Sequence, residues 1–186
     1  QYLIEQKAEN VHTYGETWPT LAPKICQRLH ITSKDVFYDL GCGRAQFSMW
    51  CHLFSGCRVV GVERVPLFVK RAKAILKKLH LDRIDIICDD LLNLSLKEAT
   101  VIYFYWTNFE ESILKVIVEK LRELPAPLKL ITTSFPILEV DPKAPFSVVD
   151  SFKVHYLWGG CELFVHEKQP SASLSSKQAM VSTCMV

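Results

Sequence analysis

No window of this 186-residue chain reaches the roughly 18 uninterrupted apolar residues that a membrane-spanning helix needs. The opening Gln1-Tyr2-Leu3-Ile4-Glu5 lacks the basic-then-apolar pattern of a secretory signal, so an intracellular, cytoplasmic location is expected. No two of the seven cysteines, at 26, 42, 51, 57, 88, 161 and 184, stand at the short spacing of a zinc knuckle or a redox motif. They read as small buried hydrophobes in a reducing compartment, and no metal is expected. A strong charge of one sign is missing too: the net charge of +2 falls short of a dedicated nucleic-acid binder, so nucleic acid is not expected as a partner. There is no internal repeat. What remains is 49% hydrophobic content, enough for one core and one domain without disulfides or metal.

The informative segment is Asp39-Leu40-Gly41-Cys42-Gly43-Arg44, entered from the apolar Val36-Phe37-Tyr38 and followed by Val59-Val60-Gly61-Val62-Glu63. A strand that stops at two glycines lets the backbone approach a ligand closely. An acidic residue about 20 positions on, at the tip of the next strand, accepts both hydroxyls of a ribose. A dinucleotide fingerprint wants a third glycine, and here that position is Gln46. Asp39, just ahead of the first glycine, repels a pyrophosphate but attracts a cation. A nucleoside ligand carrying positive charge is therefore expected. With no histidine near it in sequence, Cys42 reads as a loop filler rather than a nucleophile.

These residues resemble the first two motifs of the class I S-adenosylmethionine-dependent methyltransferases. Further pieces follow in the same order between residues 12 and 166: Tyr14-Gly15-Glu16-Thr17 upstream, Cys88-Asp89-Asp90-Leu91 ending a third strand, and Val101-Ile102-Tyr103-Phe104-Tyr105 as a fourth. The Tyr-Gly-Glu-Thr loop, with Asn108-Phe109 after the fourth strand, is similar to the disruptor-of-telomeric-silencing type of histone lysine methyltransferase and to related small lysine methyltransferases. The resemblance implies an α/β, Rossmann-like fold with a mostly parallel seven-stranded sheet, helices on both faces and a C-terminal antiparallel hairpin. It implies S-adenosylmethionine as cofactor, S-adenosylhomocysteine as product and a protein substrate presenting a lysine to a monomeric enzyme. Methylation of a small-molecule amine or of RNA is the alternative, as is a catalytically silent cofactor-binding module.

The periodicities agree with that fold. A helix is expected within residues 2–10, and another through Leu21, Ile25 and Leu29 with Pro19 in its opening turn. Strands are then expected at 36–40, 57–62, 84–88, 101–105 and 128–133, and helices near 44–55, at 66–79 and at 110–122. The alternating runs 152–158 and 161–166 predict a hairpin turning at Gly159-Gly160. The domain is drawn over 1–167, its first 30 residues forming helices and a cofactor lid, with 168–186 as a flexible tail. Lys70, Arg71, Lys73, Lys77 and Lys78 lie opposite the apolar positions of one helix and read as a solvated face rather than a phosphate track.

For the site, Asp39 and Glu16 are placed near the methionine amine and sulfonium, and Glu63 on the ribose with Arg64 beside it. Gly41, Gly43 and Gln46 form the cradle, and Tyr14 and Thr17 belong to the covering loop. Asp89 and Asp90 compete for the adenine amino group. By resemblance Asn108 lies near the transferred methyl. An apolar channel lowers the pKa of a lysine ammonium, and aromatic walls hold methylated product by cation–π contact. Among the candidates Trp18, Tyr105, Trp106, Phe109, Tyr156, Trp158 and Phe164, preference goes to Trp106, Phe109 and Phe164. The segment Tyr105-Trp106-Thr107-Asn108-Phe109 lacks the prolines with which amide and flipped-base enzymes grip a planar amino group.

Overall fold

In the computed structural model, residues 17–107, 109–156 and 159–170 are described. The helix expected within 2–10 lies outside them. Pro19 opens α1 (Leu21–Arg28), its carbonyl accepting from Ala22 N at 3.0 Å. The core then runs β1 (Val36–Leu40), α2 (Gln46–Ser55), β2 (Arg58–Glu63), α3 (Pro66–Leu79), β3 (Ile84–Cys88), a 3₁₀ turn at Leu91–Asn93 and β4 (Val101–Phe104). It continues through α4 (Glu111–Arg122), β5 (Lys129–Thr133), the single-turn α5 (Ile137–Val140), β6 (Phe146–Tyr156) and β7 (Gly159–Lys168).

One seven-stranded sheet has the order β3-β2-β1-β4-β5-β7-β6. The first five strands pair in parallel; β7 runs antiparallel to β5, and β6 antiparallel to β7. Because both faces of the central strands are covered, successive residues enter different cores, which is why β4 reads as an unbroken apolar run, whereas the edge strand β3 exposes Asp85. Phe37, Val59, Val101, Tyr103 and Ile131 pack with α1, α2 and α3. Tyr38, Val60, Ile102, Phe104 and Leu130 pack on the other face with α4 and α5.

The hairpin differs from expectation. Tyr156 pairs with Gly159 and His155 with Gly160, so both glycines belong to β7 and the two strands join two residues earlier than the glycine pair suggests. Strand β6 also starts at Phe146, because a register shift between Val148 and Asp150 breaks the two-residue alternation that would have revealed its first half. Strand β7 reaches Lys168, one residue past the drawn domain boundary, where the Lys168 ammonium donates to the Leu121 and Arg122 carbonyls at the end of α4.

His166 on β7 is fully buried. Its Nδ1 donates to Leu130 O at 3.0 Å and its Nε2 accepts from Ile137 N at 3.1 Å, which fixes a neutral ring. Burial pushes its pKa down to about 4. A depressed histidine stabilises the fold above its unfolded pKa near 6.5, and that contribution is lost as pH falls toward 4. The H166Q variant keeps a donor and an acceptor but cannot titrate. Unfolding free energies of the two proteins, read from urea titrations, should therefore diverge by roughly 3 kcal/mol in favour of H166Q between pH 6.5 and 4. Parallel curves would show that His166 does not set acid stability.

Candidate functional site

The sheet order reverses between β1 and β4, and the crevice at the carboxyl ends of these strands is where such sheets take their ligands. Gly41 (φ 82°) and Gly43 (φ 56°) carry the chain round in the left-handed region, while Gly41 N and Cys42 N both donate to Val62 O at 2.9 Å. The loop is thereby tied down onto β2. A Cβ at Gly61 would meet the Cys42 sulfur at 2.8 Å and Ile86 Cδ1 at 2.7 Å, so the glycine reserves room for the buried thiol, and Cys42 is the filler it was expected to be.

Two buried carboxylates flank this loop. Glu63, 8% exposed, accepts from Gly43 N at 3.0 Å and Val65 N at 2.8 Å, and burial is the main cause that raises its pKa. Four lone-pair sites on a carboxylate leave room for hydroxyl donors beyond these two amides. Asp39, 3% exposed, accepts from the Ser48 hydroxyl on α2. Burial raises its pKa to about 7, with the Ser48 bond opposing and the Glu63 charge adding to the rise. A cation brought to Asp39 would relieve that burial.

Asp39 opens into a narrow cleft with Thr17, Gly41, Gln46, Phe47, Tyr103 and Tyr105. Thr17 Oγ1 meets Tyr103 OH at 2.8 Å, and Tyr103 OH meets Tyr156 OH at 3.1 Å, so a hydroxyl chain ties the segment before α1 to the central and outer strands. Tyr105 stands edge-on to Tyr156 with ring centroids 5.8 Å apart. Asp39 and phenol walls in the cleft, with Glu63 on the far side of the glycine turn, suit a nucleoside with a cationic tail. A wider groove of about 580 Å³ lies at the β3 edge, lined by Arg58, Lys73 and Asp85, and includes none of the expected site residues.

The structure thus gathers Thr17, Asp39, Gly41, Gly43, Gln46 and Glu63 at one crevice, with Arg64 exposed just beyond Glu63. Tyr14, Glu16 and Asn108 lie outside the described residues. Both aspartates at the β3 tip serve the turn: Asp89 accepts from Asp90 N and Asn93 Nδ2, and Asp90 caps Leu92 N.

The three aromatic residues preferred from the sequence do not line this cleft. Trp106 is 0% exposed, its indole N–H donating to the Thr133 and Phe135 carbonyls at 2.9 and 3.2 Å, so it anchors a loop and lines no channel. Phe109 packs on Phe104, at 4.9 Å between centroids, toward the face opposite Tyr103. Phe164 pairs with Thr132 between Leu163 and Val165, which both point into the α1–α3 core, so its side chain emerges on the other face. The rings that reach the cleft are Phe47, Tyr103 and Tyr105, with Tyr156 behind the two tyrosines. Sequence reasoning passed over Tyr103 and Ser48; a serine among the buried Phe47, Met49 and Cys51 of α2 was the one signal for the latter.

Residues 1–139 match the family model described as histone methylation protein DOT1. The chain is 31% identical over 144 residues to the H3 lysine-79 specific histone-lysine N-methyltransferase of Caenorhabditis elegans, over 68% of this chain and 15% of that protein. Over 77 residues, 41% of this chain and 21% of the other, it is 32% identical to the sterol 24-C-methyltransferase of Eremothecium gossypii. It therefore spans about a fifth or less of the length of these curated relatives. Among solved structures it is similar to an RNA methyltransferase from Salinibacter ruber in complex with S-adenosyl-L-homocysteine, with a TM-score of 0.65 and 23% identity over 84% of this chain and 95% of that one. At that identity the likeness is one of fold.

Proposed function

Because this chain belongs to the DOT1 family of histone methylation proteins and is an S-adenosylmethionine-dependent methyltransferase, we propose that its methyl acceptor is the side-chain amine of a protein lysine. S-adenosylmethionine supplies a methyl group on a sulfonium, open to in-line attack by an amine. In this reading Glu63 holds the ribose hydroxyls, and Asp39 faces the cationic methionine end. Gly41, Gly43 and Gln46 shape the cradle, one of Asp89 and Asp90 takes the adenine amino group, and Tyr14, Glu16 and Thr17 cover it.

The observation that supports lysine is the phenol wall. Tyr103 and Tyr105 line the cleft beside Asp39, and Tyr156 braces both. Burial holds the Tyr103 and Tyr156 hydroxyls well above their ordinary pKa, so they stay neutral. An aromatic wall with the buried Tyr103 hydroxyl at its base favours the free amine of lysine over its ammonium by desolvation, and ring faces accept the methylated cation by cation–π contact. Asn108, next to this wall in sequence, is assigned to positioning the amine. The C. elegans relative, whose name specifies a lysine of H3, supports the same acceptor class.

The test is transfer of radiolabelled methyl into fractionated lysate, followed by acid hydrolysis. Label is expected as methyl-lysine, reduced by about 100-fold or more in Y105A and N108A, while both variants bind S-adenosylhomocysteine within a few-fold of wild type. Label confined to RNA or to small molecules would replace the acceptor, and cofactor binding with no label in any fraction would make the domain a silent module.

A further inference from the structure

Helices α1, α2 and α3 pack their buried sides into the same core and so form one layer on one face of the sheet. None of the three contains an aspartate or a glutamate. On the opposite face α4 carries Glu111 and Glu119, each in an ion pair on its own helix, and α5 carries Glu139. The charge of the α1–α3 layer comes mainly from α3, where Lys70, Arg71, Lys73, Lys77 and Lys78 all point away from the core. Among the described residues none of these five enters an ion pair, whereas Arg28 of α1 is engaged with Asp150. A chain of net charge +2 with five cations on one helix is electrically lopsided.

The same layer also exposes large apolar side chains. Trp50, Leu53 and Phe54 of α2 and Leu67, Ile75 and Leu79 of α3 are between 43% and 57% exposed, and Trp50 stacks on Phe54 at 5.7 Å. Singly such residues need no explanation. Six on one helical layer, on helices without a carboxylate and among cations that form no ion pair among the described residues, form a surface of a particular kind, bordered by Asp82 and Asp85 at the β3 edge beside Lys73 and Lys77. Nucleic-acid faces are in the main polar and strongly positive, and six large exposed apolar side chains spread over two helices do not suit one. A two-fold pairing of this layer with its own copy would set the cations of α3 against each other. Helices that lie on membranes combine Lys and Arg with Trp, Phe and Leu in this way.

We propose that the outer face of the α1–α3 layer docks on the surface of an anionic lipid bilayer, the α3 cations facing phosphate headgroups and the α2 aromatics entering the headgroup boundary. Docking is independent of which amine the enzyme methylates, and it leaves the α4 face free.

The full chain is sedimented with vesicles of phosphatidylcholine alone and of phosphatidylcholine with phosphatidylserine. Binding is expected only to the anionic vesicles, and its loss at about 1 M salt, where the screening length is ~3 Å. The triple variant K70E/R71E/K78E should lower partitioning by at least about 100-fold, and W50S/L53S by about tenfold. Unchanged binding of S-adenosylhomocysteine establishes that both variants are folded. Absence of binding to anionic vesicles at low salt would overturn the proposal, as would full binding by W50S/L53S. So would binding of a DNA or RNA duplex, lost in the triple variant, when vesicles are not bound. Sedimentation reads no methyl transfer, so its failure leaves the lysine reading untouched.

Discussion

Asp39→Asn is expected to weaken cofactor binding and, in the same protein, to raise the stability of the free enzyme at alkaline pH. The carboxyl is 3% exposed, with a pKa raised to about 7 mainly by burial. In the unfolded chain the group ionises near 3.9, so wild-type folding becomes less favourable as pH rises from about 4 to 7, and the cost is fully present above 7. From 3.8 to about 7 the shift corresponds to roughly 4 kcal/mol at pH 8, an upper bound on what asparagine can recover. The Ser48 hydroxyl can serve either carboxylate or amide. Melting curves of wild type and D39N should therefore lie closest together at about pH 4 and separate steadily as pH rises, with the variant several degrees higher at pH 8. Calorimetric titration at pH 8 should show S-adenosylmethionine binding about 10- to 100-fold more weakly to D39N, the loss of one charge-assisted contact. Wild-type affinity should itself climb as pH passes through about 7. Equal affinity in both proteins would remove Asp39 from the cofactor site.

Glu63→Ala should cost both affinity and stability. The side chain accepts from Gly43 N and Val65 N, and its removal leaves two amides in a buried turn without an acceptor, at about 1–3 kcal/mol each. It also removes the proposed ribose contact, for a fall in affinity of about 100-fold or more. E63Q separates the two losses: its amide oxygen can serve one of the amides, so stability should largely return while affinity stays reduced. A melting temperature and a dissociation constant for each protein decide the matter. Recovery of affinity by glutamine would show that the carboxylate's charge is not used.

His166 and Asp39 act in opposite directions. The histidine destabilises the fold as pH falls below 6.5, and the aspartate as pH rises toward 7. Their opposition flattens the acid side of the stability curve, and single substitutions should unmask each limb.

The parallel core was legible because each strand from β1 to β5 is a short, mostly apolar and β-branched segment set between helical periods, and the expected segments fall within a residue of the strands found. The turn at the end of β1 was legible because two glycines, a preceding aspartate and a glutamate at the next strand tip form a recognisable pattern, and they lie together in the structure. The tyrosine wall of the cleft was not, for a reason of phase. Along a strand adjacent side chains leave on opposite faces, so Leu163 or Phe164, and Tyr103 or Phe104, are equally good neighbours in sequence but face different cores. Only the pairing register decides between them, and aromatic content alone does not reveal it. The bulge between Val148 and Asp150 hid half of β6 by the same arithmetic. The turn at Leu91–Asn93 and the four-residue α5 are shorter than any helical period can show.

Trp106 has a consequence for how this scaffold can diversify. Its indole is sealed in the core and clamps the tips of β4 and β5 through two carbonyls, so the loop that follows β4 cannot be reshaped without unmaking the packing beneath it. On the proposed reading of the cleft, new acceptors are open to lineages that exchange its tyrosines on a fixed frame, rather than to those that lengthen the loop; insertions at this position should be rare among natural variants and poorly tolerated in libraries.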